Sequence, residues 1–396
     1  MKILHVIGGD LRYGASKGAL ILHDALLKAG INSSILNDTP SNGNSYTNII
    51  YINNNLISKF IGKIYVIFEK ILKTIFLHSP RETFTFGLFG FDITKLPEYE
   101  NADIIHLHWL NQGFVRLGSI SKINKPVVWT VRDMWVFTGG SHYTMDFEKY
   151  ESSKLSKLMR NYKKKVYKKS FRFVTISDWL KFKAKDSDVL KNFDVQRIYN
   201  NIDLNSFEPV PKKTGKLNLK IETAKKIILY GANNPQSKRK GWNIFIKTLK
   251  KIDQSKYFLL IFGNFWSKKT LDEIGIEYKS LGFIYDKKIL NDVYSCADIF
   301  VASSIQDGWP KTFAEAIYCK TPVICFANTS IAEIIDHKIN GYIVKKFDPD
   351  QLKEGIEWLS NKNLNLEEAK LKITDYSSQI IANKYIELYK NVLYKK

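Results

Sequence analysis

Residues 299–326 read IFVASSIQDGWPKTFAEAIYCKTPVICF. The stretch opens on the apolar run Ile299–Ala302 and closes on the apolar run Val323–Phe326, and short runs of this kind are typical of buried strands. Between them, Pro310 suits the first turn of a helix that we predict over residues 311–318. A strand, a helix and a second strand in this order predict a parallel sheet that is covered by helices.

The same alternation runs through the whole chain of 396 residues. Candidate strands lie at residues 2–7, 34–36, 48–52, 103–108, 127–131, 173–176, 195–199, 226–230, 257–262, 299–302, 323–326 and 342–344. Helical patterns lie at residues 14–29, 56–77, 113–123, 154–169, 239–250, 286–296, 311–318 and 349–360. This pattern predicts an α/β fold with parallel sheets and helices on both of their faces.

Residues 205–225 interrupt the alternation, because they contain Pro209, Pro211, Gly215 and several lysines but little apolar periodicity. We therefore predict two doubly wound, Rossmann-like domains. The predicted parts are an N-terminal domain at 1–208, a linker at 209–221, a C-terminal domain at 222–375 and a C-terminal helix at 376–396 that packs back on the N-terminal domain. Ligands of such sheets bind beyond the carboxyl ends of the strands, so the cleft between the domains is the expected site.

The composition narrows the classes of protein that the chain can belong to. Hydrophobic residues make up 44% of the sequence, which excludes long-range disorder. Lysine and arginine number 60 against 39 acidic residues, and the formal charge of +21 favours a polyanionic partner: nucleic acid, an anionic membrane or a phosphorylated small molecule. Three cysteines cannot form a disulfide framework and fit a reducing cytoplasm.

No targeting or membrane-spanning segment is predicted. The first residues, MKILHVIGGD, resemble a buried strand more than a secretory signal, which needs a longer apolar core. The longest apolar stretch, residues 56–77, contains five charged side chains, which a spanning helix does not tolerate. We therefore expect a cytoplasmic protein.

A first candidate phosphate site lies in the loop GANNPQSKRKG, residues 231–241, between a predicted strand and a predicted helix. A loop in this position exposes backbone N–H groups, and Lys238, Arg239 and Lys240 add positive charge. Diphosphate binding is one interpretation. A solvated basic loop is the other, since basic triplets are common.

A second candidate site follows the strand at 299–302. Asp307 and Gly308 fall in the strand-to-helix loop, and Lys311 and Thr312 fall in the first helical turn, where free N–H groups attract phosphate. Glu315 lies about one turn further and can accept paired hydrogen bonds from ribose hydroxyls. The alternative is structural: Asp307 caps the helix and Glu315 complements its dipole.

Taken together, these segments resemble the C-terminal domain of the family 4 retaining glycosyltransferases, which have the two-domain GT-B fold. The hallmark of that family is an acid, seven intervening residues and a Glu, here Asp307-GWPKTFA-Glu315 followed by AIYCKTPVICF. The flanking segments LGFIYDKKILNDVYSCADIFVASS and ANTSIAEIIDHKINGYIV are similar too, and the phosphate-binding Lys-Gly of the family corresponds to Lys240-Gly241. The similarity covers most of residues 226–360 in the expected order.

The first half is similar to polysaccharide-building members of the same family. Gly8-Gly9 and then RYGASKGALILHDALLKAG resemble the family's glycine-bearing loop and first helix. The segments ADIIHLHWL, KPVVWTVRDMWVFTGGSHY, FVTISDWL and RIYNNIDLNSFEP follow in the family's order.

The resemblance implies roles for named residues. Catalytic roles fall to Lys240, Asp307, Glu315 and Asp133. Lys240 and Arg239 neutralise the donor diphosphate, Glu315 holds the ribose, and Asp307 contacts the transferred sugar. Phe283 and Ile284 lie beside the nucleotide base. The donor-binding set also includes Gly14, Gly308, Lys311 and Thr312, and we assign Arg132 and His142 to the acceptor side. His142 lies in the glycine-rich loop GGSHY, for which a structural turn is an equal alternative.

Two positions depart from the family pattern. The family usually has Glu where this chain has Asp307, one methylene shorter, so the identity of the sugar stays open. The family often has His immediately before the Asp of the first-domain loop, and this chain has Arg132 before Asp133. Arginine stays charged where histidine exchanges a proton near neutral pH.

Other motifs point away from metal and nucleotide-triphosphate chemistry. His106 and His108 alternate on one strand face as metal ligands do, but no nearby Cys or carboxylate completes a set. We predict no metal and no cofactor, with the nucleotide-sugar acting as a co-substrate. No GxxxxGK[ST] motif appears, which argues against a P-loop kinase.

Two basic segments raise the question of a membrane. In residues 56–77, Phe60, Ile64, Ile67, Ile71 and Phe76 lie near one helical face, and Lys59, Lys63, Lys70 and Lys73 border it. The segment is either an interfacial helix on an anionic leaflet or a core helix with outward lysines. Residues 153–173 carry nine Lys or Arg and no acid, but no nucleic-acid fold signature accompanies them. We therefore predict a peripheral location at the inner face of the plasma membrane and no nucleic-acid partner.

The sequence thus predicts a retaining glycosyltransferase of the hexosyltransferase type. It moves a sugar from a nucleotide-diphosphate-sugar to an acceptor hydroxyl, on a glycan or lipid-linked glycan, in cell-surface polysaccharide synthesis. Two alternatives remain. One is a nucleotide-sugar epimerase on the same fold, and the other is a non-catalytic, basic RNA- or membrane-binding protein on a glycosyltransferase scaffold.

Overall fold

The computed structural model describes residues 1–12, 14–40, 46–77, 82–232, 237–263 and 272–394. The chain divides into two compact units. Unit 1 contains residues 1–201 together with 378–396, and unit 2 contains residues 202–377. Within the described residues, no helix has the length and apolar character needed to cross a membrane.

Unit 1 is built on a parallel sheet of seven strands in the order β3-β2-β1-β4-β5-β6-β7. The strands are β1 (Lys2–Val6), β2 (Asn32–Asn37), β3 (Ile49–Tyr51), β4 (Ile104–Leu107), β5 (Val127–Val131), β6 (Arg172–Thr175) and β7 (Val195–Arg197). The helices are α1 (Gly14–Lys28), α2 (Leu56–Phe76), α3 (Pro97–Asn101), α4 (Leu117–Ile120), α5 (Glu148–Glu151), α6 (Lys154–Val166) and α7 (Asp178–Asp186), and the C-terminal helix α14 (Ser378–Tyr394) belongs to the same unit. The central strands are buried along their length, which is why they read as continuous apolar runs.

Unit 2 is built on a parallel sheet of six strands in the order β10-β9-β8-β11-β12-β13. The strands are β8 (Lys226–Ala232), β9 (Tyr257–Gly263), β10 (Tyr278–Ser280), β11 (Ile299–Ala302), β12 (Val323–Phe326) and β13 (Gly341–Val344). The helices are α8 (Lys212–Asn218), α9 (Trp242–Leu249), α10 (Lys287–Cys296), α11 (Lys311–Tyr318), α12 (Pro349–Ser360) and α13 (Glu367–Ile373). The strand order reverses between β8 and β11, and ligands of doubly wound sheets bind at such a switch point.

These two sheets confirm the predicted fold class, two Rossmann-like units of parallel strands and helices. Residues 113–123, predicted as one helix, form only the short helix α4. In α14, the side chains of Ile381, Tyr385 and Tyr389 are buried in the core of unit 1 with Ile104 and Val128 of its sheet.

The structure divides the chain at residue 202, whereas the sequence predicted an N-terminal domain up to residue 208 and a linker at 209–221. Unit 2 begins at Ile202, whose N–H donates to the carbonyl of Tyr376 at 2.9 Å, and helix α8 packs on α10 inside the same unit. The approach is close because Gly215 has no side chain: a Cβ there would lie 2.9 Å from the carbonyl oxygen of Asp292. Glycine and lysine lower the apolar periodicity that identifies a helix, so the segment resembled a linker.

Candidate functional site

Two loops of unit 2 meet at the switch point, after β8 and after β11. The N–H of Ile305 donates to the carbonyl of Arg239 at 2.7 Å, and Ser303 Oγ donates to the carbonyl of Lys240 at 2.8 Å. Gly241 follows with φ of 66°, and a Cβ there would lie 1.9 Å from the carbonyl oxygen of Ser303. Only glycine fits this position, so the loops are locked together by backbone geometry. Residues 233–236 of the predicted phosphate loop lie outside the described residues.

The side chains of these loops form a compact ionic cluster. Lys240 Nζ donates to Asp307 Oδ2, and Arg239 Nη1 lies 3.7 Å from the same oxygen and 3.2 Å from the carbonyl of Gln306. Burial alone would raise the pKa of Asp307, but the charges of Lys240 and Arg239 outweigh it and hold the pKa below its usual value. The structure thus brings Lys240, Arg239 and Asp307 into one group with two cations around one carboxylate.

Glu315 lies in a second group on the same edge of the sheet. It is buried on α11, where its Oε2 accepts a hydrogen bond of 2.9 Å from Tyr294 OH, and Lys287 Nζ lies 3.5 Å from Oε1. The ammonium of Lys287 also lies 4.2 Å from the ring centre of Phe207. Burial, and then the charge of Glu315, raise the pKa of Tyr294 well above its ordinary value. The phenol therefore stays protonated and orients the carboxylate.

The turn between β11 and α11 carries three more predicted residues. Gly308 is buried, whereas Lys311 and Thr312 are half-buried in the first turn of α11. Ser330 Oγ donates to the carbonyl of Asp307 at 2.8 Å and fixes the start of this turn. The turn therefore presents backbone and side-chain donors next to the ionic cluster.

Phe283 and Ile284 lie in the loop between β10 and α10, and both are half-buried. The Phe283 ring lies 4.8 Å from the ring of Tyr285, whose side chain is exposed. The loop is tied to the end of β9, because the N–H of Gly263 donates to the carbonyl of Gly282 at 2.8 Å. It therefore belongs to the same carboxyl edge of the sheet as the ionic cluster.

In unit 1, the structure pairs Asp133 with His142. His142 Nδ1 lies 2.7 Å from Asp133 Oδ2, while Asp133 Oδ1 accepts a 2.9 Å hydrogen bond from the N–H of Trp135. A further backbone bond of 3.0 Å runs from the N–H of Met134 to the carbonyl of His142, and Trp109 Nε1 lies 3.3 Å from His142 Nδ1. The sequence analysis assigned separate roles to the two residues. In the structure, the loop that follows β5 brings them together as a carboxylate–imidazole pair.

Arg132 points elsewhere. Its guanidinium is buried, with Nη1 donating to Asn200 Oδ1 at 3.1 Å and Nε lying 3.4 Å from His108 Nδ1. Gly18 on α1 makes the room, since a Cβ there would lie 2.4 Å from Nη1. Burial lowers the pKa of Arg132 to about 10, so the group still carries its charge at neutral pH. Gly14, at the start of α1, is exposed with open space around the position of a Cβ.

The sequence analysis missed a third histidine beside His106 and His108. His5 lies opposite His106 in the parallel pairing of β1 with β4, and the donor atoms of the three residues lie within 4.8 Å of one another. Both nitrogens of His106 are engaged, at 2.6 Å from Tyr389 OH and at 2.7 Å from Thr130 Oγ1. His5 Nδ1 lies 2.9 Å from His108 Nε2, a hydrogen-bond distance. With Arg132 adding a positive charge, the cluster fits a hydrogen-bonded network better than a cation site.

The arrangement in unit 2 has clear chemical capacities. Cationic side chains beside the first turn of a helix suit a phosphate or diphosphate. A carboxylate that a phenol holds in place suits a pair of sugar hydroxyls. The sequence also missed Tyr294 and Lys287, because their role depends on how α10 packs on α11, and the amphipathic pattern of α10 shows only that one of its faces is buried.

Comparisons with known proteins agree with this geometry. The family model described as glycosyl transferases group 1 matches residues 214–377, and the model described as glycosyltransferase family 4 matches residues 14–206. The chain is 23% identical over 332 residues to an uncharacterized 41.2 kDa protein from the cps region of Klebsiella pneumoniae, covering 81% of this chain and 87% of that protein. It is 24% identical over 307 residues to an uncharacterized glycosyltransferase of Methanocaldococcus jannaschii, covering 74% and 76% of the two chains.

Solved structures with the same fold include sucrose-phosphate synthase from Thermosynechococcus elongatus, with a TM-score of 0.74, 15% identity and full coverage of both chains. Another is HepE from Anabaena in complex with UDP-glucose, with a TM-score of 0.66 and 14% identity over 99% of this chain and 100% of that one. At such low identity these likenesses establish the fold.

Proposed function

The chain belongs to the family 4 type of GT-B glycosyltransferases, and from that premise we propose that it transfers a sugar from a nucleotide-diphosphate-sugar to an acceptor hydroxyl with retention of configuration. The observation that carries the proposal is the ionic cluster of Lys240, Arg239 and Asp307 at the switch point of unit 2, with the Glu315 carboxylate on the helix that follows the same strand. The UDP-glucose complex of the structurally similar HepE supports a donor of this class.

The donor is held by charge. Lys240 and Arg239 neutralise the diphosphate, with help from the N–H groups of the first turn of α11, while Glu315 accepts hydrogen bonds from the ribose. Asp307 contacts the sugar that is transferred, and Phe283 and Ile284 lie beside the base. These groups stabilise the negative charge that develops on the leaving diphosphate, which is the main electrostatic demand of the reaction.

The acceptor is handled by unit 1. Asp133 fixes the ring orientation of His142, and this pair aligns the acceptor hydroxyl. The side chain of Arg132 is buried against Asn200 and His108, so we assign it no direct contact with the acceptor. We name no protein nucleophile.

The acceptor class we propose is a glycan or a lipid-linked glycan in cell-surface polysaccharide synthesis. The similarity to a protein of a cps region supports this role. A lipid-linked acceptor is reached at a membrane surface, so we propose a peripheral location at the inner face of the plasma membrane.

A thermal-shift screen tests the proposal first. Nucleoside diphosphates and nucleotide-sugars are added to the wild-type chain and to Lys240→Ala, with Lys247→Ala as the matched control, because Lys247 is an exposed lysine on the neighbouring helix α9. We expect one nucleotide series to raise the melting temperature of the wild type and of the control but not of Lys240→Ala. A chain that only binds RNA or lipid shows no such shift.

Turnover then separates transfer from epimerisation. The matching nucleotide-sugar is incubated with and without glycan acceptors, and the product anomer is identified by NMR. Acceptor-dependent release of the nucleoside diphosphate with an unchanged anomeric configuration supports the proposal. Donor consumption without an acceptor identifies an epimerase, and an inverted anomer contradicts the retaining mechanism.

A further inference from the structure

Helix α2 buries a charged side chain and exposes apolar ones, which is the reverse of the pattern in a core helix. Of its 21 residues only Gly62 and Glu69 are buried. The Glu69 carboxylate accepts backbone hydrogen bonds from Phe86 at 2.8 Å, Leu88 at 3.0 Å and Phe89 at 3.3 Å. The helix is thus attached to unit 1 through Glu69 and through ring contacts of Tyr65, Phe68 and Phe76 with Phe91, Phe89 and Phe86, and it is not a buried core helix.

Many apolar side chains of α2 are exposed to solvent. Those with about half or more of their surface exposed include Leu56, Phe60, Ile67, Ile71, Ile75 and Phe76, with values of 84% for Leu56 and 66% for Phe60. A continuous apolar face of this length is rare on a protein that has no partner for it. The helix itself is well defined, because the side chain of Asn55 and the side chain of Ser58 form a reciprocal cap at its N-terminus.

A groove continues this apolar face toward α6. It has a volume of about 340 Å³ and is lined by Leu72 and Phe76 from α2, Phe86 from the following segment, and Leu155, Leu158 and Tyr162 from α6. Leu158 lies at its mouth with 62% of its surface exposed. The groove has the size of a small-ligand site, but its lining offers an occupant mainly hydrocarbon contacts.

The two helices that contribute to the groove carry exposed basic side chains. Lys59, Lys63 and Lys70 are exposed on α2, as are Lys154 and Lys157 on α6. Between them the two helices contain a single acidic residue, Glu69, and it is buried against backbone N–H groups. An apolar surface with a rim of lysines complements an anionic lipid leaflet, in which acyl chains lie below a layer of negative headgroups.

Lys73, which the sequence places on the same rim, is turned inward. Its Nζ donates to the carbonyl of Glu82 at 2.5 Å, and burial lowers its pKa. The lysine rim of α2 therefore consists of three residues and not of four. Nucleic acid is a poorer match for this surface than lipid, because most of its exposed apolar side chains are aliphatic and do not stack on bases.

We infer that α2, the segment around Phe86 and α6 form one lipid-binding surface, on which an anionic phospholipid bilayer docks and inserts an alkyl chain into the groove. The inference deepens the membrane location that is part of the proposed function. It does not depend on the donor chemistry, and its test uses no nucleotide-sugar, so the two can fail separately.

The first experiment measures docking. The full chain is sedimented with vesicles of phosphatidylglycerol and phosphatidylcholine in equal parts, and with vesicles of phosphatidylcholine alone. We expect binding to the anionic vesicles that weakens as salt is raised. The variant with Lys59, Lys63 and Lys70 changed to Gln should bind about 100-fold more weakly, since each lysine near an anionic surface is worth about fivefold.

A matched control removes the same charge elsewhere. Lys247, Lys345 and Lys384 are exposed on other elements, and their change to Gln should leave vesicle binding within about twofold of the wild type. Equal losses in both triple variants would mean that the net charge of the chain binds the vesicles without any docking surface, and would overturn the inference. Absence of binding in the wild type would overturn it as well.

The second experiment tests the groove. The native cysteines Cys296, Cys319 and Cys325 are all buried, so a cysteine introduced as Leu158→Cys is labelled selectively with an environment-sensitive fluorophore. Phe182→Cys, at an equally exposed site on α7, is the control. With vesicles whose phospholipids carry bromine on their acyl chains, we expect strong quenching at position 158 and little at position 182.

Three results of the labelling experiment would overturn the groove assignment. One is equal quenching at the two sites. Another is a spectral shift at position 158 that depends on protein concentration without lipid, which would identify a second copy of the chain as the occupant. The third is a shift caused by RNA in place of vesicles. Melting temperatures close to that of the wild type verify that each variant is folded, as expected for substitutions of exposed side chains.

Discussion

Two basic regions of the molecule differ in whether their cationic side chains contact a carboxylate. In unit 2, Lys240 and Arg239 lie against the carboxylate of Asp307 in a nearly buried cluster. On α2, the structure pairs none of Lys59, Lys63 and Lys70 with a carboxylate from the described residues. The sequence suggested a diphosphate as a partner for the first region and an anionic lipid leaflet for the second, but only the first holds its cations in a fixed geometry before a ligand arrives.

This difference in environment determines how much the removal of each lysine weakens binding. A charge in a desolvated, hydrogen-bonded cluster changes binding steeply when it is removed, because its partners lose a contact that water does not replace. A charge on an exposed helix is screened by salt and acts additively with its neighbours. The first region is therefore suited to recognising one ligand, and the second to holding the chain at a surface.

The largest effect is expected from single substitutions in the first region. Lys240→Ala and Glu315→Gln each remove one charge-assisted contact, to the diphosphate and to the ribose, worth about 1.5–3 kcal/mol. We expect kcat/KM for the donor to fall by about 10- to 150-fold in each variant. Lys247→Ala is the matched control. Donor kinetics like those of the wild type in both variants would place the site elsewhere.

A second substitution asks whether Asp307 competes with the ligand. Asp307→Asn removes the negative charge that Lys240 and Arg239 now face, while the amide keeps the size of the side chain. Nucleoside diphosphate should then bind as tightly as in the wild type, or up to about tenfold more tightly, whereas transfer of the sugar falls about tenfold or more. Calorimetric titration and turnover measure the two quantities. Weaker binding of the nucleoside diphosphate would mean that Asp307 supports the phosphate site.

Much of this arrangement could be predicted from the sequence. Buried parallel strands are continuous apolar runs, and the loops after β8 and β11 must meet because those strands are neighbours at the switch point. The spacing from Asp307 to Glu315 and the position of Lys240 pointed to the two groups that the structure shows on this edge. Local pattern and topology were sufficient for these features.

The rest depended on contacts between distant parts of the chain. His5 meets His106 only because β1 pairs with β4, and Tyr294 reaches Glu315 only because α10 packs on α11. Nothing near Glu69 in the sequence shows that it binds the backbone of residues 86–89, so the sequence left open which face of α2 is buried. Such contacts leave no periodic signal.

A buried lysine, Lys163, provides a third environment for a cationic side chain. Lys163 on α6 is buried, and its Nζ donates to the carbonyl oxygens of Trp135 and, at 3.0 Å, of Thr138. Burial lowers its pKa from 10.5 to about 7, although the charges of Glu151 and Asp133 oppose the shift. Among the described residues no carboxylate forms an ion pair with this lysine, and its side chain is fully buried, so its protonation is linked to folding.

The sign of the linkage follows from the two pKa values of Lys163. Between about pH 7 and pH 10 the unfolded chain holds this proton and the folded chain does not, so the free energy of unfolding rises with pH. The free energy of unfolding of the wild type minus that of Lys163→Met should therefore increase by about 2 kcal/mol from about pH 7 to pH 9. Denaturant titrations at several pH values measure it. A difference that stays constant would mean that Lys163 remains charged in the folded chain.

The smallest effect is expected from a chelator. Lys240, Arg239 and the first turn of α11 supply positive charge where we place the diphosphate, so turnover should continue unchanged in excess chelator. The three-histidine cluster of unit 1 should be equally indifferent, because both nitrogens of His106 already have hydrogen-bond partners and the guanidinium of Arg132 lies 3.4 Å from His108. Measuring turnover and melting temperature in the same samples separates the two sites. A loss of turnover that a divalent ion restores would assign a metal to the donor, and a lower melting temperature with unchanged chemistry would assign one to the histidines. If neither quantity changes, the cationic side chains of unit 2 are sufficient to stabilise the leaving diphosphate, and they take the place of a metal ion.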